Sequence, residues 1–522
     1  MSREIIVEVR GVSFQYPGAP TASLRQVSLT THRGDRVLVI GHNGSGKSTL
    51  LSLLAGRRKA KSGSVRVLGR DPFEDTSMIQ HISMIGAPWP PEAVFGNTVD
   101  RVASPAPVPE RKTMVADALH LRLSRFVEKM SSGEKRRVQI LHGMLNPATV
   151  YLLDECSTDI DVAERRTVLK LVRQECEARD GCCFYATHIL DRSQDWATHL
   201  LLMEEGRVVA FKRVADIAVP LEEYAFQFMR KRDRCARGVD AAAPPSYGKF
   251  VSLSPGSSAW ATTTALAPPY SAISDAPATY WPKGKRDGGP DEVVIDCTRL
   301  SYKDVFVHLT FQVNRGERVL LCGSNGSGKS TLLNMLGGRL YFDNRDGSLS
   351  VLGKRCYDGM LLNGLVSYGG DWWAAAPGGE MHVREMLQLQ TARAEHLRAL
   401  LNVDMDWDVR RISTGEQKRV QLLLHLLDDK PIVLLDEATA DLDVDQRHSL
   451  LQFLYEESVQ RGVTVVYSTN IFGGLEGWAD AVVLLDRTVR GAHAVWRASQ
   501  GQPISLERVA DEIIALKERE VF

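Results

Sequence analysis

The chain has 522 residues, 44% of them hydrophobic and 25% charged, which is typical of a globular protein of roughly two to four domains. It has 64 Lys and Arg residues against 64 Asp and Glu residues, so no net charge draws it to nucleic acid, and a nucleic-acid partner is not indicated. No apolar run approaches the roughly 18–20 residues of a membrane-spanning helix. The N-terminus carries charges where a signal peptide is apolar. The eight cysteines lack paired CxxC spacing, which is typical of buried free thiols in a reducing compartment. We therefore expect a cytoplasmic protein without a transmembrane domain, with the nucleus as the alternative location.

The first half of the chain alternates apolar strands with helices. Three short apolar runs predict strands of a buried parallel sheet: RVLVIG (36–41), VYLLD (150–154) and CCFYAT (182–187). The segment GKSTLLSLLAG (46–56) follows the first of them and predicts a helix that ends at glycine. This alternation predicts an α/β fold.

The second half repeats the first at a constant offset of 282 residues. GHNGSGKSTLL recurs as GSNGSGKSTLL, MSSGEKRRVQ as ISTGEQKRVQ, LLDE as LLDE, and YATHILD as YSTNIFG. The chain is therefore a duplicated domain, predicted over residues 1–232 and 292–522. Residues 233–291 between the copies are rich in Ala, Pro and Ser without periodicity and predict a flexible linker. The basic run 229–237 is interpreted as solvated charge at a helix end, with a nuclear-import or nucleic-acid patch as the alternative.

Each copy carries the motif GxxxxGK[ST] between an apolar strand and a helix. The glycines let backbone N–H groups surround phosphates, the helix adds its positive end, the Lys reaches the terminal phosphates and the Ser hydroxyl binds Mg²⁺. The residues predicted to bind nucleotide are Gly41, Asn43, Gly44, Ser45, Gly46, Lys47, Ser48 and Thr49 in the first copy, and Gly323, Asn325, Gly326, Ser327, Gly328, Lys329, Ser330 and Thr331 in the second.

Two acidic residues follow each buried strand at the edge where the phosphate loop lies. Asp154 and Asp436 end these strands, and we expect them to bind the metal together with the serine of their own phosphate loop. Glu155 and Glu437 come next and are the candidate general bases for the attacking water, because a carboxylate can accept a proton beside the phosphate.

The segments SSGE (131–134) and STGE (413–416) each fit the capping box that opens a helix. Such a helix start presents free N–H groups and a serine hydroxyl to an anion. We expect that anion to be the γ-phosphate held by the other copy, which would make Ser131, Gly133, Ser413 and Gly415 part of the nucleotide sites.

The order of these motifs, with Asp161 and Asp443 a few residues later and then a Thr-His strand end, resembles ABC ATPases in both copies. The resemblance implies two ABC-type P-loop NTPase domains in tandem that bind ATP and Mg²⁺, hydrolyse ATP, and pair head to tail. It implies two composite sites: Lys47, Ser48, Asp154, Glu155 and His188 facing Ser413 and Gly415, and Lys329, Ser330, Asp436, Glu437 and Asn470 facing Ser131 and Gly133. It also implies an aromatic residue stacked on adenine, which is Tyr16 in the first copy and either Tyr302 or Phe306 in the second.

Three features depart from the ABC pattern. Asn470 replaces the family's histidine, which in the first copy is His188, so we expect slower hydrolysis at the Lys329 site. The family's glutamine loop is missing, and Ala87 and Asp371 stand where its glutamine would fall, which argues against coupling to a permease. The linker has no charged helical-hairpin pattern, which argues against an ABC translation factor.

These departures match small soluble ABC proteins that resemble those associated with the carbon-catabolite-repression–NOT complex, a deadenylase and transcription-regulatory assembly. The resemblance implies an ATP-driven conformational cycle in a regulatory protein assembly, with that complex as the candidate partner. The alternatives are the ATPase subunit of a membrane importer, a ribosome-associated translation ATPase and a non-catalytic module. The candidates for a partner-binding surface are Trp89, Trp196, Trp372, Trp373 and Trp478; burial in the hydrophobic core is the favoured interpretation of these aromatics. The segment 504–520 predicts an amphipathic helix, which docks either on its own domain or on a partner.

Overall fold

The computed structural model describes residues 4–86, 89–104, 106–236, 292–342, 347–356, 362, 364–370, 373, 381–387, 391–498 and 502–520. They form two similar α/β units, here called the first repeat (up to residue 236) and the second repeat (from residue 292). Ala87, Asp371 and Trp372 lie outside the described residues. So does most of the predicted linker; its first residues, 233–236, continue the last helix of the first repeat.

The first repeat contains nine strands in two sheets. The strands are β1 (Ile5–Phe14), β2 (Leu24–His32), β3 (Arg36–Ile40), β4 (Ser62–Val67), β5 (Ile82–Ile85), β6 (Val150–Asp154), β7 (Cys182–Ala186), β8 (His199–Glu204) and β9 (Arg207–Arg213). An antiparallel sheet has the order β2-β1-β4, and a six-stranded sheet has the order β5-β6-β7-β3-β8-β9, in which only β9 runs antiparallel. Strands β3, β6 and β7 are buried along almost their whole length, as parallel strands covered on both faces must be.

Six helices complete the first repeat as the structure describes it. They are α1 (Lys47–Leu54), α2 (Val99–Val102), α3 (Pro109–Ala118), α4 (Ser132–Met144), α5 (Val162–Ala178) and α6 (Leu221–Ala236). One hydrophobic core lies between the two sheets around α1, and a second lies on the other face of the six-stranded sheet beneath α3, α4 and α5. The predicted α/β fold is confirmed.

The second repeat has the same architecture. Its strands are β10 (Val293–Tyr302), β11 (Phe306–Asn314), β12 (Arg318–Cys322), β13 (Ser348–Val351), β14 (Lys354–Arg355), β15 (Val366–Gly369), β16 (Ile432–Asp436), β17 (Thr464–Ser468), β18 (Ala481–Asp486) and β19 (Gly491–Arg497). The antiparallel sheet has the order β11-β10-β13-β14, and the six-stranded sheet has the order β15-β16-β17-β12-β18-β19. The helices are α7 (Lys329–Leu336), α8 (Val383–Met386), α9 (Ala392–Leu400), α10 (Thr414–Leu427), α11 (Val444–Arg461) and α12 (Leu506–Glu520).

The last helix of each repeat lies against the other repeat. Helix α6 packs on α11, and α12 packs on α5. At the start of α5, Val162 and Ala163 belong to the hydrophobic core of the second repeat, and Val444 at the start of α11 belongs to that of the first. The amphipathic C-terminal segment therefore docks within the chain, on its own repeat and across the interface.

Two of the candidate partner-binding tryptophans are buried in the core. Trp196 is 5% exposed and Trp478 is fully buried, and their indole N–H groups donate to the carbonyls of Leu169 and Leu451. Each indole fills the space between the sheet and a helix and satisfies its N–H there, as buried tryptophans do. Burial in the core, the favoured interpretation, is confirmed for these two residues. Trp89 and Trp373 are partly buried against the same cores.

Seven of the cysteines are buried free thiols, as predicted from their spacing: Cys156, Cys176, Cys182, Cys183, Cys297, Cys322 and Cys356. Burial raises the pKa of the Cys156 thiol to about 12, so it packs as a small neutral hydrophobe. Among the described residues, no helix is both long and apolar enough to span a bilayer.

Candidate functional site

The two phosphate loops follow β3 and β12 at the carboxyl edge of their sheets and end at the first turns of α1 and α7. Gly46 and Gly328 have φ values of 99° and 98°, a left-handed conformation that glycine adopts without strain. The lysines fold back over the loops: Lys47 Nζ donates to the Gly41 carbonyl at 2.7 Å, and Lys329 Nζ to the Gly323 carbonyl at 2.8 Å. Burial lowers the pKa of both lysines, while the neighbouring glutamates oppose this shift.

Each loop also holds a buried hydroxyl that has no partner within the protein. Ser45 Oγ and Ser327 Oγ are buried and make no hydrogen bond. A buried polar atom without a partner costs free energy, so a polar ligand such as a phosphate group fits this cradle.

The predicted metal ligands meet in the first repeat. Ser48 Oγ donates to Asp154 Oδ1 at 3.0 Å, so the hydroxyl and the carboxylate present hard oxygen donors side by side, which suits Mg²⁺. In the second repeat, Ser330 occupies the corresponding first turn of α7, but Asp436 accepts a short hydrogen bond from Ser468, where the first repeat has Ala186. The second carboxylate is thus held by its own sheet.

The candidate bases share an unusual backbone. Glu155 and Glu437 have φ values of 49° and 47°, in the left-handed region that non-glycine residues rarely adopt. Such strain is stored at functional sites, and here it turns both carboxylates out of the strand direction. Burial raises the pKa of Glu155 to about 7, an effect that Lys47 opposes, and burial also raises the pKa of Glu437.

The residue beyond the third central strand differs between the repeats. His188 Nε2 lies 3.2 Å from Glu155 Oε1, and that carboxylate oxygen is buried without a hydrogen bond. Burial, followed by the charge of Lys47, lowers the pKa of His188 well below its usual value, and Asp443 opposes this shift. In the second repeat, Asn470 Nδ2 donates to Glu437 Oε1 at 2.8 Å and to Asn325 Oδ1 at 3.1 Å.

The capping boxes are confirmed, and they lie against the opposite phosphate loops. Ser131 caps α4 and Ser413 caps α10, each with the reciprocal glutamate bond. A Cβ atom at Gly133 would lie 3.0 Å from Asn325 Nδ2, and one at Gly415 would lie 3.1 Å from Asn43 Nδ2. The structure therefore brings each helix start to the phosphate loop of the other repeat.

The aspartates of the two repeats also reach across the interface. Asp161 Oδ2 accepts from the backbone N–H of Asn325 at 3.2 Å, and Asp443 Oδ2 lies 3.3 Å from His42 Nδ1. Arg447 Nη2 donates to the His188 carbonyl at 3.1 Å. Both phosphate loops are thus contacted by the residues that begin α5 and α11 of the opposite repeat.

The aromatic candidates for adenine fare differently. The Tyr16 hydroxyl lies 3.3 Å from Thr49 Oγ1, and the Arg58 guanidinium lies 4.5 Å from its ring centroid, so Tyr16 is beside the phosphate loop. Phe306 is fully buried, and its ring lies beneath Gly328, so the structure removes it as a candidate. Tyr302 is partly exposed at the end of β10 and remains the candidate in the second repeat.

Residues that sequence reasoning missed lie at the same sites. Arg136 on α4 donates to the Glu155 carbonyl at 2.9 Å and to the Gly86 carbonyl at 2.8 Å, which fixes the backbone behind the candidate base. Its counterpart is Lys418, whose pKa burial lowers to about 8. In the sequence these residues belong to a charged run typical of a solvated helix face, so no local signal marks them.

A family model described as ABC transporter matches residues 24–158 and 306–440, just over half of the chain. The chain belongs to the ABC transporter family. Its tandem repeats are two ABC P-loop domains that bind ATP, and the matched ranges include both phosphate loops and both Asp-Glu pairs.

Curated ABC relatives match one repeat or both. The chain is 34% identical to ABC transporter I family member 20 of Arabidopsis thaliana over 42% of this chain and 71% of that protein. It is 30% identical to CCR4-associated factor 16 of Saccharomyces cerevisiae over 40% of this chain and 79% of that protein. A putative ABC transporter ATP-binding protein of Vibrio parahaemolyticus is 23% identical over 92% of this chain and 87% of its own length.

Among solved structures, the chain resembles the RNase-L inhibitor, with a TM-score of 0.67 at 19% identity over 97% of this chain and 93% of that one. It also resembles an archaeal ribosome recycling factor solved in complex with a ribosomal stalk protein, with a TM-score of 0.65 at 19% identity over 96% of this chain and 92% of that one. At this identity the likeness shows the tandem fold alone.

Proposed function

We propose that this protein is a Mg²⁺-dependent ATP hydrolase whose two composite sites drive an opening and closing of the two repeats. The observation that carries the proposal is the contact of each capped helix start, at Gly133 and Gly415, with the phosphate loop of the other repeat. ATP held between such surfaces stabilises the closed form, and its hydrolysis removes the γ-phosphate on which that form depends.

The Lys47 site carries the groups needed for hydrolysis. Glu155 is the general base, because one of its carboxylate oxygens is buried without a hydrogen bond and its pKa is raised towards neutrality. His188 lies beside that oxygen and orients the attacking water relative to the γ-phosphate. Ser48 and Asp154 would hold Mg²⁺, whose positive charge would stabilise the negative charge that develops on the transferred phosphoryl group.

The Lys329 site is proposed to bind ATP and to hydrolyse it more slowly. Asn470 donates hydrogen bonds to Glu437 and to Asn325, so the carboxylate oxygen that would accept the proton already has a donor. Hydrogen bonding to the ionised carboxylate stabilises it and makes it a weaker base. The hydrogen bond from Ser468 to Asp436 is a further difference between this site and the Lys47 site.

Steady-state ATPase measurements on Glu155→Gln and Glu437→Gln test this asymmetry. We expect Glu155→Gln to lower turnover about a hundredfold or more, because loss of a general base typically costs that much, and Glu437→Gln to lower it less than about twofold. Both variants should bind ATP as the parent does, which serves as the control. Equal losses in turnover would contradict unequal sites, and unchanged turnover in both would contradict hydrolysis by these glutamates.

We further propose that the conformational cycle acts in a regulatory protein assembly, with a deadenylase or transcription-regulatory complex as partner and cytoplasmic or nuclear location. The partial likeness to the yeast CCR4-associated factor supports this choice. The double variant Glu155→Gln/Glu437→Gln, purified with ATP from its native cells, should retain such subunits. Recovery of a permease would favour an importer, and recovery of ribosomal proteins would favour a translation ATPase.

A further inference from the structure

The C-terminal helix α12 places a lysine among the acidic residues of the opposite repeat. Lys517 Nζ donates to Asp161 Oδ2 at 2.6 Å and to Glu164 Oε1 at 2.7 Å. Both carboxylates lie in the first turn of α5, and Asp161 is only 1% exposed. Two carboxylates this deeply buried need a compensating cation, because an unpaired buried charge is strongly destabilising.

The same carboxylates contact the parts that build the Lys329 site. Asp161 accepts from the backbone N–H of Asn325 in that site's phosphate loop, and Glu164 lies 3.1 Å from Arg137 Nη2 on the helix that Ser131 caps. Lys517 is therefore between the phosphate loop of the second repeat and helix α4 of the first, which Ser131 caps. Burial alone would raise the pKa of Asp161, but the Lys517 ammonium and backbone donors lower it.

The Lys47 site is built differently at the matching positions. Its aspartate, Asp443, is followed by Gln446 where the first repeat has Glu164, so one carboxylate replaces two. Among the side chains that the structure describes, the one that contacts the Asp443 carboxylate is His42, which belongs to the phosphate loop itself.

We propose that Lys517 is a positioning residue of the Lys329 site, because it neutralises Asp161 and Glu164 across the interface. ATP-dependent closure of the Lys329 site therefore depends on the docked C-terminal helix, whereas closure of the Lys47 site does not. This inference rests on the proposed composite sites. It also provides a route by which a partner that binds the C-terminal helix would open one ATP site selectively.

Equilibrium binding of Mg-ATP to two parents tests the inference. Lys47→Ala leaves the Lys329 site as the intact one, and Lys329→Ala leaves the Lys47 site. Adding Lys517→Met should weaken ATP binding about tenfold in the first parent, within the usual range of coupling between sites, and less than about twofold in the second. Lys517→Arg should retain affinity, because it keeps the charge.

Two further variants separate positioning from general damage to the helix. Arg192 holds the same helix through Asp511 at 2.7 Å and the Glu507 carbonyl at 2.8 Å, without contacting Asp161, so Arg192→Met should leave both affinities nearly unchanged. Glu164→Gln, which copies Gln446, removes one of the two charges and should restore part of the affinity lost in Lys517→Met.

An equal loss at both sites, or no loss at the Lys329 site, would overturn the role of Lys517. The Gly133→Ala variant in the Lys47→Ala parent distinguishes this result from a failure of the composite sites. If Gly133→Ala weakens ATP binding and Lys517→Met does not, the inference fails alone; if neither does, the composite sites fail with it.

Discussion

The two ATP sites have nearly the same phosphate loop and differ in the groups around it. Both lysines fold over the same pair of loop carbonyls, and both glycines before them have φ near 98°. Around the candidate bases, however, the two sites differ. His188 of the first repeat corresponds to Asn470 of the second, and Ala186 corresponds to Ser468. The aspartate that reaches across the interface is contacted by His42 at one site and by the C-terminal helix at the other.

This contrast indicates that the two repeats share the machinery for ATP binding and differ in the machinery for hydrolysis. Binding of phosphates needs a backbone shape that tolerates little change, so that part stays alike in both repeats. Hydrolysis needs a free base and a positioned water, and a few side chains decide whether a site has them. We interpret the Lys47 site as the main hydrolytic site and the Lys329 site as one that mainly binds ATP and controls closure.

Among the residues that differ between the two sites, the largest effect is expected from exchanging His188 and Asn470. His188→Asn should lower turnover about tenfold or more, because the amide would donate to Glu155 as Asn470 donates to Glu437. Asn470→His should raise residual turnover in the Glu155→Gln background, which steady-state ATPase assays measure. If His188→Asn keeps full turnover, this residue does not explain the difference between the sites.

A smaller, site-specific effect is expected at the interface glycines. A Cβ at Gly133 would lie 2.7 Å from the Asp159 carbonyl, whereas one at Gly415 would lie 3.0 Å from the Asp441 carbonyl. Gly133→Ala should weaken ATP binding at the Lys329 site about tenfold, and Gly415→Ala should weaken it less at the Lys47 site. Binding assays in the Lys47→Ala and Lys329→Ala parents check this, and effects on the wrong site would refute the head-to-tail pairing.

Replacing the aromatic residues that are candidates for stacking on adenine should lower the affinity for ATP several-fold. Tyr16 contacts Thr49 in its phosphate loop, so Tyr16→Ala should weaken ATP binding at the Lys47 site about fivefold, in line with the loss of base stacking. Tyr302→Ala should have a smaller effect at the Lys329 site. Tyr16→Phe is the matched control and should bind normally. Normal binding by Tyr16→Ala would exclude stacking on Tyr16.

The smallest effect is expected from raising the pH above neutrality. A general base must be ionised, and burial raises the pKa of Glu155 to about 7, so turnover should fall as pH drops through 7 and rise only about twofold from pH 7 to pH 8. The pH profile of Glu437→Gln, in which the Lys47 site retains its base, should show this midpoint. A flat profile between pH 6 and pH 8 would contradict Glu155 as the base.

The α/β fold, the duplication and the parts of each site that are contiguous in the chain could be predicted from the sequence alone. The phosphate loops, the Asp-Glu strand ends and the capping boxes at Ser131 and Ser413 are local patterns, in which a few neighbouring residues set the backbone. Their head-to-tail pairing came from the resemblance to ABC ATPases and not from periodicity.

Which distant groups meet depends on how separate elements pack in three dimensions. The sequence favoured burial of Trp196 and Trp478 and left Phe306 open between the core and base stacking, because burial depends on packing between separate elements. Lys517 and Asp161 are hundreds of residues apart, and their contact follows from the way α12 packs on the opposite repeat. Such a contact leaves no local pattern, since the buried charge and its cation belong to different helices.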